Sequence, residues 1–277
     1  MRKFFYLFIA ALVLVACDEN EPEPEVQYPA GAIHGVFSIG AKKYVMFSQG
    51  NLQYNSAMLA YRFAEHQWDT IGASNLSGGA LATTIDLFAW GTGNTPTSKE
   101  THLPFVDWGV NAIMNGGNQT YLWRTLSKDE WNYLIFERKN AAKLVSMGTV
   151  NGVPGTILLP DYWPSDKRFE DNAQRGLVIK STAENKYYEN PNINSFFFHK
   201  YTISEWSTME AGGAVFLPAA GWSNSRDVLN VASKGYYWST TPSLYGNIYL
   251  LFFSTGYLEV MSDGVFKCAV RLVQDVR

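Results

Sequence analysis

The sequence predicts an α+β domain built mostly from short strands, and three observations carry that prediction. Two segments show the Ser/Thr-x-x-Glu spacing that caps a helix just ahead of an apolar stripe. The chain ends in four strand-like runs separated by turn residues, which read as an antiparallel meander. Elsewhere Gly, Pro, Asn and Ser are dispersed as turn punctuation through a composition that is 47% hydrophobic and 15% aromatic, ample for a packed core.

In chain order, the first element is an export signal. Arg2 and Lys3 precede an apolar run from Phe4 that ends in Leu14-Val15-Ala16-Cys17. A basic end, an apolar middle and small residues before the cut suit a signal peptidase, and the run falls short of the roughly 20 residues a permanent membrane helix needs. Leu-Val-Ala-Cys resembles a bacterial lipobox, which implies that residues 1–16 are removed and that Cys17 carries a lipid. Residues 17–30 follow as a tether: five acids (Asp18, Glu19, Glu21, Glu23, Glu25) alternate with Pro22, Pro24 and Pro29 and cannot bury enough surface to fold. Acids directly after a lipidated cysteine resemble the surface-export signal of Bacteroidota lipoproteins, which implies display on the outer face of the outer membrane. No second linker appears after Gly31, so 31–277 reads as one domain.

Within it, 43–48, 51–54 and 61–64 read as strands. The stretch 69–119, rich in turn formers, reads as packed loops pinned by Trp90 and Trp108. Ser127 with Glu130 opens the first helix, whose buried stripe is Trp131, Leu134 and Ile135 and whose last turn carries Arg138, a cation suited to the helix dipole. Asn151-Gly152 is a two-residue hairpin signal between 144–150 and 153–159, with Pro154 limiting pairing near the turn. Thr202 with Glu205 opens the second helix, with Trp206 and Met209 on its buried side and Gly212-Gly213 as its stop. The closing strands are 235–240, 247–254, 257–262 and 265–273. In the last, Phe266, Cys268, Val270 and Leu272 share one face, which makes Cys268 a small buried hydrophobe.

Composition excludes several function classes. Loss of Arg2 and Lys3 moves the formal charge from −3 to −5, and no basic cluster exists to neutralise phosphates, so nucleic acid is not a partner. With Cys17 lipidated only Cys268 remains, which rules out a disulfide within the mature chain. His34, His66, His102 and His199 are scattered, so no zinc spacing arises, and no metal or other cofactor is expected. The carboxylate pairs Asp129/Glu130 and Asp161/Asp166 are too close in sequence to mark a glycosidase pair. Trp163, Trp222 and Trp238 could stack on sugars, although an aromatic core absorbs most tryptophans.

The strings FSQGNLQY (47–54), RFAEHQWD (62–69), DLFAWGTGN (86–94), WRTLSKDEW (123–131), VNGVPGTILLPD (150–161), EWSTMEAGGAVFLPAAG (205–221), GYYWST (235–240) and VRLV (270–273) resemble surface lipoproteins of gut and oral Bacteroidota. They are also similar to the Fibrobacter major paralogous domain. The resemblance implies a C-type lectin-like fold, in the branch that includes formylglycine-generating enzymes. Those enzymes use a late pair of cysteines, and Cys268 stands alone; calcium-dependent lectins carry acidic sugar-binding triplets that are missing here. What the resemblance leaves is ligand display, as in the variable proteins of diversity-generating retroelements. It implies outward contact residues Thr241, Ser243, Tyr245, Asn247 and Tyr249, then Tyr257, Glu259 and Met261 on the next strand, with an unknown protein or glycan as partner. The alternative readings are a structural subunit of a fimbria or surface layer and, behind it, a hydrolytic or formylglycine-generating-like enzyme. Asp69-Thr70-Ile71 resembles the O-glycosylation acceptor of Bacteroidota, which makes Thr70 a candidate site.

Overall fold

The computed structural model describes residues 28–77, 83–101, 103–169, 178–180, 196, 198–224, 226–244, 246–264 and 266–276. The export signal, Cys17, the tether before Tyr28, and Tyr245 lie outside the described residues. The architecture is α+β, dominated by strands with a few short helices.

The first strands are β1 (Phe37–Gly40), β2 (Lys43–Phe47), β3 (Leu52–Asn55), β4 (Ala60–Phe63), β5 (Thr84–Ile85) and β6 (Leu87–Ala89). α1 (Lys128–Asn132) runs on into one π-helical turn, Tyr133–Glu137, and α2 (Ala141–Leu144) follows. Next come β7 (Val145–Val150), β8 (Val153–Leu158), β9 (Val178–Lys180), β10 (Lys200–Tyr201) and α3 (Ile203–Ala211). The chain closes with β11 (Val215–Pro218), β12 (Trp222–Ser223), β13 (Val228–Leu229), β14 (Lys234–Pro242), β15 (Ile248–Ser254), β16 (Tyr257–Asp263), β17 (Lys267–Ala269) and β18 (Val273–Asp275).

Local rules explain much of this. Both capping boxes form: Glu130 N donates to Ser127 Oγ and Glu205 N to Thr202 Oγ1, while each glutamate side chain accepts from the cap residue's own N–H. Each cap satisfies otherwise orphaned N–H groups and stabilises its helix by about 1 kcal/mol. β7 and β8 pair across Asn151-Gly152, with Val150 opposite Val153. Both turn residues have positive φ, 50° and 77°, the signature of a type I′ turn that matches strand twist. The stretch 69–119 buries Trp90 and Trp108 as expected, but it is not loop alone: it carries two 3₁₀ turns, Gly72–Ser77 and Trp108–Val110, and the short strands β5 and β6, which pair with β3 and β17.

The largest sheet runs β13-β12-β17-β14-β15-β16-β9, with β6 added along β17. Here the expected four-strand meander needs correction. β14, β15 and β16 form an antiparallel meander, but β17 does not extend it; it crosses back to lie parallel to β14, with Ala269 opposite Tyr237, and β18 leaves the sheet to pair with β2. The outer edge of β16 is held by β9. The last segment also sends side chains into two cores, Cys268, Val270 and Leu272 into one and Ala269 and Val273 into the other. A strand buried on both faces belongs inside a sheet and not at its margin.

Those two cores clothe the two faces of the meander. One joins Phe37, Phe47, Trp131, Tyr237, Leu251 and Phe253; the other joins Phe88, Trp90, Trp108, Trp238, Leu250 and Cys268. A third, around Trp206, Phe216 and Leu159, packs α3 on the sheet β10-β7-β8-β11.

Candidate ligand-contact surfaces

Titratable groups in the interior serve the scaffold. Asp86 accepts from Ile71 N at 2.8 Å and Asn75 Nδ2 at 2.7 Å, and Asn75 Oδ1 accepts in return from the N–H groups of Asp86 and Leu87. Burial pushes its carboxyl up to about 6 against these hydrogen bonds. Asp107, also raised by burial, accepts from Gly109 N, Thr125 N and Thr125 Oγ1 and so fixes a loop turn.

Arg138 closes the last turn as expected, and its side chain, 2% exposed, pairs with Asp161 at 2.9 Å, which also accepts from Ser38 N and Ser38 Oγ. The side chain closes the core beside Phe37, where its guanidinium lies 5.6 Å from the ring centroid. Arg271, 1% exposed, donates to Gln67 Oε1 at 2.7 Å and Asn51 Oδ1 at 3.5 Å; burial lowers it to about 10. Asn51 in turn donates to the Tyr237 hydroxyl, which donates to Pro218 O. Cys268 is fully buried, with its thiol pushed up by that burial, as expected of an inert hydrophobe.

The expected contact residues separate into two groups on opposite faces. Ser254 pairs with Tyr257 across the two-residue turn Thr255-Gly256, so even positions of β15 share a face with odd positions of β16. Tyr249 therefore faces the side of Leu251 and Phe253, whereas Tyr257, Glu259 and Met261 stand beside Phe252 and Leu250. Counting alternate residues straight through the turn put them together; the turn reverses the parity. Tyr257 is also buried, at 4% exposed, with its hydroxyl donating to Glu259.

The first group lies at the outer end of the β14–β15 hairpin, docked on the start of α1. Lys128 N donates to Thr241 Oγ1 at 3.1 Å, Thr240 N to Leu126 O at 3.0 Å, and Lys128 Nζ sits 4.5 Å above the Tyr249 ring. Ser239 Oγ donates to Tyr249 O, and Ser243 N to Asn247 O at 2.7 Å, which closes the tip. Asn247 is exposed and Thr241 and Ser243 partly so. Sequence reasoning missed two members: Lys128, absorbed into a capping argument, and Leu244, which is 97% exposed at the tip. A leucine set between Ser243 and Gly246 in a turn, with no alternation partner, was the available signal. Beside α1 a cleft of about 600 Å³ is lined by Gly40, Ser127, Asp129, Asn132 and Glu137.

Tyr28 stacks on His34 at 4.1 Å, Tyr162 donates to His34 O at 2.8 Å, and the adjacent Asp161 holds Arg138 just past the π turn.

The second group borders an aromatic row. Trp222 and Phe266 are 4.8 Å apart, Phe266 and Tyr236 5.9 Å, Tyr236 and Phe252 5.0 Å, and Phe252 and Tyr257 5.8 Å. Trp163 and Trp238 are buried in separate cores, and of the three tryptophans weighed for sugar stacking Trp222 alone stays partly exposed. Thr70 is partly exposed, between Asp69, which accepts from His66 N, and Ile71, whose N–H is held by Asp86.

No protein-family model, curated protein or solved structure matches this chain.

Proposed function

We propose that this chain is a non-catalytic recognition or adhesion module with a C-type lectin-like fold, tethered by lipid on Cys17 and displayed on the outer face of the outer membrane. Its contact surface is the outer end of the β14–β15 hairpin with the start of α1. The observation that carries this reading is the hydrogen-bonded base of the tip: hydroxyls of Thr241 and Ser243, the Asn247 amide, the Lys128–Tyr249 pair and Leu244 gather where Ser243 N bonds Asn247 O and Lys128 N bonds Thr241 Oγ1. Fixed loops bearing Tyr, Ser and Asn bind with little ordering cost. Protein and glycan arrays probed with the mature chain test it: a ligand whose capture falls at least tenfold in Asn247→Ala and Leu244→Ser supports the reading, and equal capture by both variants defeats it. Palmitate labelling lost in Cys17→Ser tests the anchor, and intact-mass analysis of the exported protein tests sugar on Thr70.

A further inference from the structure

Beyond the hairpin tip, the opposite face of the meander carries the five-ring row Trp222, Phe266, Tyr236, Phe252 and Tyr257. The row zigzags across the sheet, from Trp222 on β12 through Phe266 just ahead of β17 to Tyr236 and Phe252, which pair directly on β14 and β15, and to Tyr257, two residues along β16 from the partner of Phe252. Four inter-strand steps of about 4.8 Å make it roughly 19 Å long. Trp222, Phe266 and Phe252 remain partly open to solvent, as does Met261 beside them, whereas Tyr236 and Tyr257 are buried and support the open rings from within the row.

We infer that this row is a second binding site, for a soluble, uncharged oligosaccharide laid across the strands. Each inter-strand step is close to the length of one pyranose ring, and the stretch from Trp222 to Phe252 covers three such steps, so it accommodates about three units. The axial C–H groups of a sugar carry slight positive charge and suit the negative faces of aromatic rings. Hydroxyls of the same sugar find polar partners at the margins: Lys234 Nζ stands 5.9 Å from the Phe252 centroid, and Glu259 lies directly opposite Phe252 on β16. Asp263 shares the face of Glu259 on β16, so the row is flanked by one cation and two carboxylates. That arrangement fits a neutral polyhydroxylated chain and gives an anionic polymer no attraction. The rings do not form one flat shelf. Their mutual tilts of 46°, 82°, 55° and 58° leave notches between them, which suit a twisted chain in solution and not the flat face of a crystalline polysaccharide.

Affinity gel electrophoresis of the lipid-free mature chain (Cys17→Ser) through soluble β-glucan, xylan and mannan tests the site. Retardation by at least one of them is expected, falling tenfold or more in Trp222→Ala and Phe252→Ala at unchanged near-ultraviolet circular dichroism. Trp222→Phe, which keeps a ring, retains part of the effect. Asn247→Ala leaves it unchanged, which separates this row from the hairpin tip. No retardation by any of the three overturns the inference, as does retardation that survives Trp222→Ala, retardation lost only in Asn247→Ala, or binding confined to sulfated polymers, crystalline cellulose or proline-rich peptides.

Discussion

The two faces of the β14–β16 meander come from the same three strands and are closed in different ways. On one, Leu251, Phe253, Leu258 and Val260 are fully buried beneath α1 and β1. On the other, Leu250 and Ile248 are buried, but Phe252 and Met261 are covered only in part, and Phe266 folds over from the crossover to β17. Strand alternation supplies both faces with apolar residues; what distinguishes them is whether another element packs on top. The closed face is scaffold, and surface available for contact lies where the covering is incomplete.

The strongest test of this contrast compares two adjacent phenylalanines. Phe253→Ala is expected to cost about 3–5 kcal/mol by emptying a closed core, and Phe252→Ala about 1–2 kcal/mol because its ring already meets water; urea unfolding of both resolves the difference. Equal losses would mean that the two faces are closed alike.

A second test uses pH. Asp86 anchors the loop beside β6, and its folded-state value of about 6 lies above the ordinary 3.8. The folded state therefore keeps a proton that the unfolded chain releases. This contribution is complete below about pH 4, is lost as pH rises through about 6, and is on the order of 3 kcal/mol. Denaturant midpoints should fall across that window, and the fall should flatten in Asp86→Asn.

Gly235 faces Phe253 on the closed side, and a Cβ there would meet the ring at 2.0 Å. Gly235→Ala should therefore cost about 1–3 kcal/mol, read from the thermal midpoint, because the covered ring has nowhere to move. The smallest effect concerns the helix that closes this face: Ser127→Ala should cost about 1 kcal/mol through the lost cap, and Thr202→Ala on α3 a similar amount while leaving the meander untouched. Hydrogen exchange in β15 distinguishes the two, rising in the first variant alone.

What was legible in the sequence follows the range of the forces involved. The caps at Ser127 and Thr202, the Asn151-Gly152 turn and the alternation that buries Cys268 each depend on a few consecutive residues, and each stands as read. The short helix α2 escaped notice because Ala141–Leu144 is a single turn stabilised by its neighbours and not by propensity. The local position of Arg138 suits a dipole partner, whereas its carboxylate, Asp161, is 23 residues away in the chain.

By itself, then, the sequence determined the two capped helices, the chemistry of the Asn151-Gly152 turn and the alternation within each strand it marked. Tertiary structure alone decided that β17 returns to the far side of β14, that Tyr249 and Tyr257 look in opposite directions, and that Arg271 is buried against Gln67 and Asn51. The physical reason is that dihedral preferences and caps act over one turn of chain. Strand order, by contrast, is set by which apolar faces must be covered together, and that competition involves segments hundreds of residues apart, as with Arg271 and Asn51, separated by 220 positions.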